Sequence, residues 1–474
     1  MGGLCRRRCR GKFTDLPVLS AAHSNRKKYK AYWLVIQATT STTVALSMKH
    51  ASDPHSNPLT DPPRSWKSAL LIFASGALCP LLIAVAIYFV IRMTNSTGIL
   101  PERPVKSETA LLAEMDETLK VAADKNRIEI ETQVQTLYER QQHEPNCTLD
   151  LLIISGGGDN GAFGTGFLVG WGKVPPGPNA RPLFDGVSGV SVGGLIAPFA
   201  FLGSDIDYER VDELFRNPKN DWKIPRGMLY FMPENSSFYD VAGLERELCS
   251  QIDLKFAQQI VNTSKKSRQL LIQSTNMDSG MPYIFNFIDA AKDAVSIGNP
   301  NTLTDILLST SAIPVAFEPR EINGSLFADG TLSSNIFFGG TTNRAETFGG
   351  IWKRLHPDAP IPKIRYWVLL NIYETEPPYT VQPKWPDILK RSFNLAVSSA
   401  QIIGLRQLFT IAELNKLRGD GDVEVRWVGI PKTWKPINTE FFNQEKMRAL
   451  SDLGRRMGAD PNSWITVPPS RTRG

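Results

Sequence analysis

The sequence predicts an α/β fold with a mainly parallel central sheet, preceded by a transmembrane helix and a helical spacer. From Pro145 onward, short apolar runs alternate with glycine-rich turns, which is typical of strands joined by crossover helices. Before that point the chain carries a long run without charge and then a stretch without Gly or Pro. The composition, 42% hydrophobic and 21% charged, excludes wholesale disorder and a polytopic membrane protein.

Residues 1–68 are predicted to form a basic, disordered tail. Its early lysines and arginines are Arg6, Arg7, Arg8, Arg10, Lys12, Arg26, Lys27, Lys28 and Lys30. Such a block of like charge is usually solvated and can lie against anionic lipid or nucleic acid. We assign it no catalytic role.

Residues 69–91 are predicted to form a single transmembrane anchor. The run from Ala69 to Ile91 carries no charge and lies between Lys67 and Arg92. At 1.5 Å per residue, a helix of this length spans a hydrocarbon core of about 30 Å. Its distance from the first residue argues against a cleaved signal peptide. Basic residues near its two ends tie in number, and the longer basic tail favours a catalytic part on the non-cytoplasmic side.

Residues 92–146 are expected to be a helical juxtamembrane spacer, and residues 147–474 one large α/β domain. The stretch from Ser107 to Gln142 lacks Gly and Pro, and its opening Ser followed by an acid suits a helix start. Strands are predicted from Leu149, Gln269, Tyr366 and Val423, and helices at Ala162–Trp171, Val192–Leu202, Thr304–Ala312, Asp387–Arg418 and Phe442–Met457.

The first motif is a glycine loop, SGGGDNGAFGTG, between a predicted strand and a predicted helix. Gly156, Gly157 and Gly158 let the backbone turn and expose its N–H groups, while the following helix directs its positive end at the same place. With Gly161 the loop also matches the dinucleotide fingerprint, and Asp185 is the candidate ribose-binding acid. A nucleotide-binding oxidoreductase is the weaker alternative, because a second glycine turn follows Asp185 directly.

The second motif is Gly-x-Ser-x-Gly, formed by Gly189, Ser191 and Gly193. A nucleophile on a tight strand-to-helix turn needs small neighbours, since a side chain there would collide with the crowded backbone. Short apolar sequence before the motif and an apolar helix after it supply that setting. The motif therefore indicates Ser191 as a nucleophile.

The third motif is Asp329-Gly330, where an apolar stretch ends in an acid and a turn. Asp329 is a candidate base for Ser191. The chain's histidines are His23, His50, His55, His143 and His356. Only His356 follows both motifs, so a Ser191, Asp329, His356 triad also remains open.

The order of the three motifs resembles the patatin-like phospholipase family. The segment STSAIPVAFEP before Asp329, the later Asn335 and the closing helix near Phe442–Gly458 also look similar. The likeness covers about Leu149 to Asn335. It implies a three-layer α/β/α sandwich and a carboxylic ester hydrolase, a phospholipase A or lipid esterase, that takes part in lipid degradation. Together with the anchor predicted at 69–91, the expectation is a membrane-anchored hydrolase.

The resemblance also implies a role for each motif residue. Ser191 is expected to be the nucleophile and Asp329 the general base of a dyad without histidine. The backbone around Gly156, Gly157, Gly158 and Gly161 would form the oxyanion hole, with motif support from Gly189, Gly193 and Gly330. One position departs from the family, which usually has Lys or Arg where this chain has Asn160. A neutral amide does not supply the same positive potential for a phosphate head group.

No cofactor is expected. A structural zinc site is not expected either, because the five cysteines are scattered without a paired Cys-x-x-Cys. Cys147 and Cys249 could pair in an oxidising compartment. The expected partners are a lipid or other acyl ester and the bilayer. Nucleic acid is not expected, since basic residues and aromatic side chains do not cluster in a recognisable module. A catalytically silent binding domain is the third alternative, and the oligomeric state is open.

Overall fold

The computed structural model describes residues 82–88, 98, 100–227, 235–264, 267–337 and 343–469. Its helices are α1 (Glu108–His143), α2 (Gly161–Trp171), α3 (Val192–Leu202), α4 (Asp205–Arg216), α5 (Ala242–Gln251), α6 (Leu254–Thr263), α7 (Phe287–Ile297), α8 (Asn301–Thr310), α9 (Phe348–Leu355), α10 (Trp385–Arg418) and α11 (Gln444–Gly458). Its strands are β1 (Thr148–Ile154), β2 (Gly186–Val190), β3 (Ile224–Pro225), β4 (Tyr239–Asp240), β5 (Gln269–Asn276), β6 (Pro282–Asn286), β7 (Arg320–Ile322), β8 (Ser325–Asp329), β9 (Lys363–Tyr373) and β10 (Val423–Ile430).

The central sheet is mainly parallel, as the sequence predicts. Strands β10, β9, β1, β2 and β5 follow one another in parallel, and β8 and β7 extend the sheet in antiparallel pairing. Strand β6 also pairs with β5, and β3 and β4 form a separate two-stranded ribbon. Because parallel strands end at one edge of a sheet, the segments that follow β1 and β2 lie close together. These segments are the glycine loop and the turn at Ser191.

Helices cover both faces of the sheet, because alternate residues of the central strands point to opposite sides. On β9, Trp367 and Leu369 belong to the large core that includes residues of α2, α3 and α11, whereas Val368 and Leu370 pack with Leu405 of α10. Near-continuous apolar runs are typical of strands buried on both faces. The arrangement agrees with the expected helix, sheet and helix layers.

Helices α2 and α11 pack at unusually close range. A Cβ added at Gly166 or Gly170 would lie 2.1 Å from a backbone oxygen of α11, and one added at Gly454 would lie 2.1 Å from the Phe163 oxygen of α2. Gly166 and Gly170 are spaced by about one helical turn, as are Gly454 and Gly458, so the glycines line the contact. This packing holds α11 behind the glycine loop, from which α2 begins.

Helix α1 begins where the sequence predicts. The Ser107 side chain accepts a hydrogen bond from the Ala110 N–H at 3.3 Å. Its last turns are part of the domain, because Val134 and Leu137 are buried with Cys147 and the first residues of β1. The described part of residues 94–474 groups into one compact unit, to which α1 belongs.

The predicted anchor at 69–91 lies outside the described residues except for 82–88, which are helical with exposed side chains. The tail at 1–68 lies wholly outside them. Among the described residues, α10 (Trp385–Arg418) is long and apolar enough to cross a membrane. Of its most apolar 18-residue stretch, 22% is buried inside the protein. Length and composition alone are weak evidence of a span.

Candidate active site

The glycine loop follows β1 and leads through a short 3₁₀ turn, Gly158–Asn160, into α2. Gly157 and Gly158 have φ of 157° and 61°. A Cβ on Gly157 would lie 2.1 Å from the Asn371 carbonyl oxygen, so a larger residue does not fit. Among the residues that the structure describes, no acceptor takes the N–H of Gly157 or Gly158. These two donors are therefore available to a ligand.

The other two glycines of the loop have different surroundings. Gly156 donates its N–H to the Asn335 side-chain oxygen at 3.0 Å. Gly161 is the first residue of α2, where a Cβ would lie 2.3 Å from the Val192 side chain. Gly156 is thus held by an internal hydrogen bond, and Gly161 permits close packing against the start of α3.

Ser191 occupies the turn between β2 and α3, with φ of 53° and ψ of −127°. This is a strained backbone conformation for a residue with a side chain, and such strain is frequent at functional sites. A Cβ on Gly189 would lie 2.3 Å from the Gly193 oxygen, and one on Gly193 would lie 2.2 Å from the Ile154 oxygen. Both neighbours therefore have to be glycine for the turn to form.

Ser191 and Asp329 meet directly. The Ser191 hydroxyl donates to Asp329 Oδ2 at 2.7 Å across a separation of 138 positions. The sheet register explains this contact, since Val190 pairs with Gln273 and Asp329 pairs with the next residue, Ser274. Both side chains are buried, at 3% exposed for Ser191 and 1% for Asp329.

The Asp329 carboxylate is a stronger base than an ordinary aspartate. Burial raises its pKa to about 6, against the opposing effect of hydrogen bonds from the Thr331 N–H and the Ser191 hydroxyl. The Thr331 N–H lies 2.9 Å from Oδ1 and fixes the orientation of the carboxylate. A Cβ on Gly330, the next residue, would lie 2.4 Å from the Gln273 oxygen, so Gly330 permits the sharp turn after Asp329.

Two buried residues beside this pair hold the turns in place. The Thr310 hydroxyl accepts the Ser191 N–H at 2.9 Å and donates to the Gln273 carbonyl oxygen. Asn335, which accepts from Gly156, donates in turn to the Gln401 side chain of α10 at 2.9 Å. Sequence analysis noted Asn335 only through a family likeness and did not single out Thr310, which lies inside the STSAIPVAFEP segment.

A buried ion pair lies behind the glycine loop. Lys446 Nζ contacts the two Asp159 carboxylate oxygens at 2.9 and 3.0 Å, and the Phe442 N–H donates to the same carboxylate at 2.9 Å. Asp159 is the residue before Asn160, the position that departs from the family pattern. Sequence analysis missed this pair: Asp159 lies within the glycine-loop motif but was given no role, and no local motif marks Lys446.

An apolar pocket opens beside Ser191. It is lined by Gly158, Ser191, Val192, Leu195, Phe199, Val211, Leu214, Phe215, Trp222, Leu244, Glu247, Leu248, Ser311, Ile313, Phe317, Phe441 and Phe442. Glu247 is the one charged residue of this lining, and it pairs with Lys219. The lining suits a hydrocarbon chain rather than a polar nucleotide.

His356, the third member of the alternative triad, does not contact the pair. Its ring stacks on Tyr138 with centroids 3.7 Å apart and lies 5.6 Å from the Trp352 ring. Both aromatic neighbours pack with Leu149, at the amino-terminal end of β1. Ser191 follows the carboxyl end of the parallel strand β2, at the opposite edge of the sheet.

Asp185, the acid that the dinucleotide interpretation requires, lies before β2 instead of after it. It accepts from Arg140 at 2.9 Å and from the Asp150 N–H at 2.9 Å. These contacts are at the edge of the sheet opposite the glycine loop, which follows β1. The geometry that brings a ribose acid next to a phosphate loop is not formed here.

No group of three or more His, Cys, Asp or Glu side chains suited to a metal ion occurs within the part of the chain that the structure describes. Cys147 and Cys249 are both free thiols, so the disulfide considered from the sequence is not formed.

The fold and the site together define an α/β protein with a buried serine–aspartate pair beside a glycine loop. Residues 152–341 match the family model described as Patatin-like phospholipase. This match spans the part of the chain that carries the three motifs, in agreement with the likeness that their order indicated. No curated protein matches the chain.

One solved structure in the comparison is the crystal structure of VipD from Legionella pneumophila. It aligns over 67% of this chain and 67% of that chain, at 12% identity and a TM-score of 0.30. At that score the similarity adds nothing to the assignment.

Proposed function

We propose that this chain is a membrane-associated serine acyl hydrolase, a phospholipase A or lipid esterase, with Ser191 as nucleophile and Asp329 as general base. The observation that supports this most strongly is the 2.7 Å hydrogen bond from the Ser191 hydroxyl to the Asp329 carboxylate beside an apolar pocket. Because its pKa is about 6, the Asp329 carboxyl is mostly ionised above pH 6, and it is more basic than an unperturbed aspartate.

The reaction proceeds in two steps. Ser191 Oγ attacks the carbonyl carbon of the ester while Asp329 takes the hydroxyl proton. The ester bond then breaks, and the proton passes from Asp329 to the leaving alcohol. Water, deprotonated by Asp329, attacks the acyl-serine and releases the carboxylic acid with return of the proton to Ser191.

The oxyanion of both tetrahedral intermediates is held by backbone donors of the glycine loop. We assign this role to Gly157 and Gly158, whose N–H groups have no acceptor among the described residues. Gly156 contributes indirectly, because Asn335 holds its N–H and thereby fixes the loop. A single oriented donor of this kind lowers the barrier by about 3 kcal/mol.

The pocket supports a long acyl chain as the group that is recognised. Val192, Leu195 and Phe199 line it at helical spacing along α3. Phe199 lies eight positions after Ser191, about 12 Å along the helix axis at 1.5 Å per residue. The pocket-lining residues include no lysine or arginine, and Lys446 is already paired with Asp159. Recognition by this pocket therefore depends on the hydrocarbon part of the substrate.

The anchor predicted at 69–91 would keep the domain near lipid at high effective concentration. In this proposal the chain crosses the membrane once, with the catalytic domain on the non-cytoplasmic side. The test of topology is protease protection of the full chain in sealed microsomes.

The test of the chemistry is labelling by a fluorophosphonate probe, followed by mass spectrometry of the full chain. Wild type should be modified at Ser191, and Ser191→Ala should remain unlabelled. Ser188→Ala is the matched control, because Ser188 is a buried serine of β2, the strand that leads to Ser191, and it donates to the Phe337 carbonyl oxygen. An unlabelled wild type that binds a nicotinamide dinucleotide would support the oxidoreductase alternative. An unlabelled protein without either property would support the silent binding domain.

A further inference from the structure

Helix α10 has an uncovered half. Its packing residues begin at Ser398 and continue through Gln401, Leu405 and Leu408, of which the leucines pack with residues of β9 and β10. From Trp385 to Val397 no residue is buried. The first turns of α10 are thus less closely packed on the described part of the chain than its second half is.

The helix also carries an uncharged and mainly apolar outer face, opposite the direction in which the helix packs on the sheet. Helical periodicity of 100° per residue places on one side Trp385, Ile388, Leu389, Ser392, Ala396, Ser399 and Ile403. None of these residues is charged. Trp385 is 63% exposed, Leu389 56% and Ile403 56%. The charged residues of the same half, Asp387, Lys390 and Arg391, lie on the other side.

The outer face does not belong to a helix that spans a membrane. Gln401 accepts a hydrogen bond from Asn335 inside the domain, and Leu405 and Leu408 pack against the sheet. A helix fixed to the sheet along its second half cannot also cross the hydrocarbon core. A separation of apolar and charged faces is instead typical of helices that lie in the plane of the membrane surface.

We propose that the outer face of α10 docks the domain onto the surface of an anionic lipid bilayer. Trp385, the first residue of the helix, is a residue type that concentrates at the membrane–water boundary. Lys384, directly before the helix, forms no ion pair with any described residue, so its charge is free to attract anionic head groups. Arg391, in contrast, pairs with Glu376.

The same helix is linked to the glycine loop. Gln401 accepts from Asn335, and Asn335 accepts from Gly156, so two hydrogen bonds connect α10 to the loop next to Ser191. Docking through α10 would hold the catalytic edge of the sheet at the lipid surface. Docking itself does not depend on Ser191 or on hydrolysis.

The test uses the full chain, with its native cysteines replaced, in vesicles of phosphatidylcholine and phosphatidylserine. An environment-sensitive fluorophore is attached to Ile388→Cys or, as the matched control, to Lys390→Cys on the opposite side. Nitroxide-labelled lipid should quench the fluorescence of the probe at 388 by about half, because this side chain would lie a few ångströms below the head groups. The fluorescence of the probe at 390 should be quenched much less. Ser191→Ala should give the same quenching, so that failure of the proposed function would leave this result unchanged.

Two outcomes would overturn the proposal. Equal, water-like emission at both positions would show that the outer face stays in solution. A probe at 388 that is shielded from water but not quenched by lipid would show that protein covers the face, either a second copy or the amino-terminal segment. A companion variant, Ile388→Asp with Leu389→Asp, should abolish the quenching of a probe at Ile403→Cys while leaving the fold intact, because both changed side chains are exposed.

Discussion

Lys446 Nζ lies 2.9 and 3.0 Å from the two carboxylate oxygens of Asp159, so a buried ion pair joins α11 to the turn that follows Gly158. The Lys446 side chain is 11% exposed and that of Asp159 is 3% exposed. Close packing of α11 on α2 fixes one end of this connection. The pair therefore positions the glycine loop rather than taking part in the chemistry.

We expect Lys446→Met to destabilise the protein by about 3–5 kcal/mol, because an unpaired buried carboxylate remains. Acyl transfer should fall as well, since the turn that carries the Gly158 N–H loses its fixed position. The measurements are the free energy of unfolding and kcat on a short-chain ester.

The double variant Asp159→Asn with Lys446→Met is the control. It leaves no buried charge, so it should recover most of the stability lost in Lys446→Met. A single Lys446→Met variant as stable and active as wild type would contradict the positioning role.

Thr310 supports the strained turn at Ser191, and Thr310→Val should show this. Valine keeps the shape but removes the acceptor of the Ser191 N–H, which lies 2.9 Å from the Thr310 hydroxyl. Leaving that buried N–H unpaired costs about 1–3 kcal/mol. We expect kcat to fall by about tenfold or more, which corresponds to an increase of at least about 1.4 kcal/mol in the activation free energy. KM should change little. Thr310→Ser keeps the hydroxyl and should remain close to wild type, and equal loss in the two variants would point to packing instead.

The activity should depend on one ionisation near pH 6. The proposed base acts only when Asp329 is deprotonated, and burial raises its pKa to about 6. We expect kcat/KM to rise with pH through about 6 and then level, as for a single general base. Histidine titrates in the same range, so the profile of His356→Ala is the essential control. A changed pH profile in His356→Ala would instead support a Ser191, Asp329, His356 triad.

Asp329→Asn should be inactive yet more stable at neutral pH. A buried carboxyl whose pKa is raised from 3.8 to about 6 binds its proton more tightly in the folded state. Its ionisation therefore costs stability progressively as pH rises from about 4 to 6, up to about 3 kcal/mol above that range. Asparagine removes this cost. The gain in the free energy of unfolding should be present at about pH 7 and absent at about pH 3.5, and a pH-independent difference would exclude this cause.

Where local pattern and glycine punctuation are strong, the sequence predicts the fold closely. The α3 bounds, Val192–Leu202, agree with the prediction because a glycine turn precedes the helix and Gly203 ends it. The predicted strands from Leu149, Gln269, Tyr366 and Val423 all lie within observed strands or begin within a residue of them. Motif order also placed Ser191 and Asp329 in one site, which the hydrogen bond between them supports.

Contacts between distant, individually ordinary residues could not be predicted in this way. Asp159 and Lys446 are separated by 287 positions, and each residue type is common on surfaces. Gln401 lies in a helix whose sequence gives no sign that this one side chain points into the domain. Such pairings depend on how α10 and α11 pack on the sheet. A single sequence carries no direct record of that packing.

The length of the acyl chain should be set along α3, and Leu195→Trp tests this. Leu195 lines the pocket about one turn after Ser191, or about 6 Å at 1.5 Å per residue. An indole there would fill the pocket close to the reacting carbonyl, so palmitoyl esters should be lost while acetyl esters are still cleaved. Retained turnover of acetyl esters would show that the variant folds. Leu183→Trp, at a position 67% exposed, controls for the added indole. An unchanged ratio of palmitoyl to acetyl turnover in Leu195→Trp would mean that the acyl chain binds elsewhere.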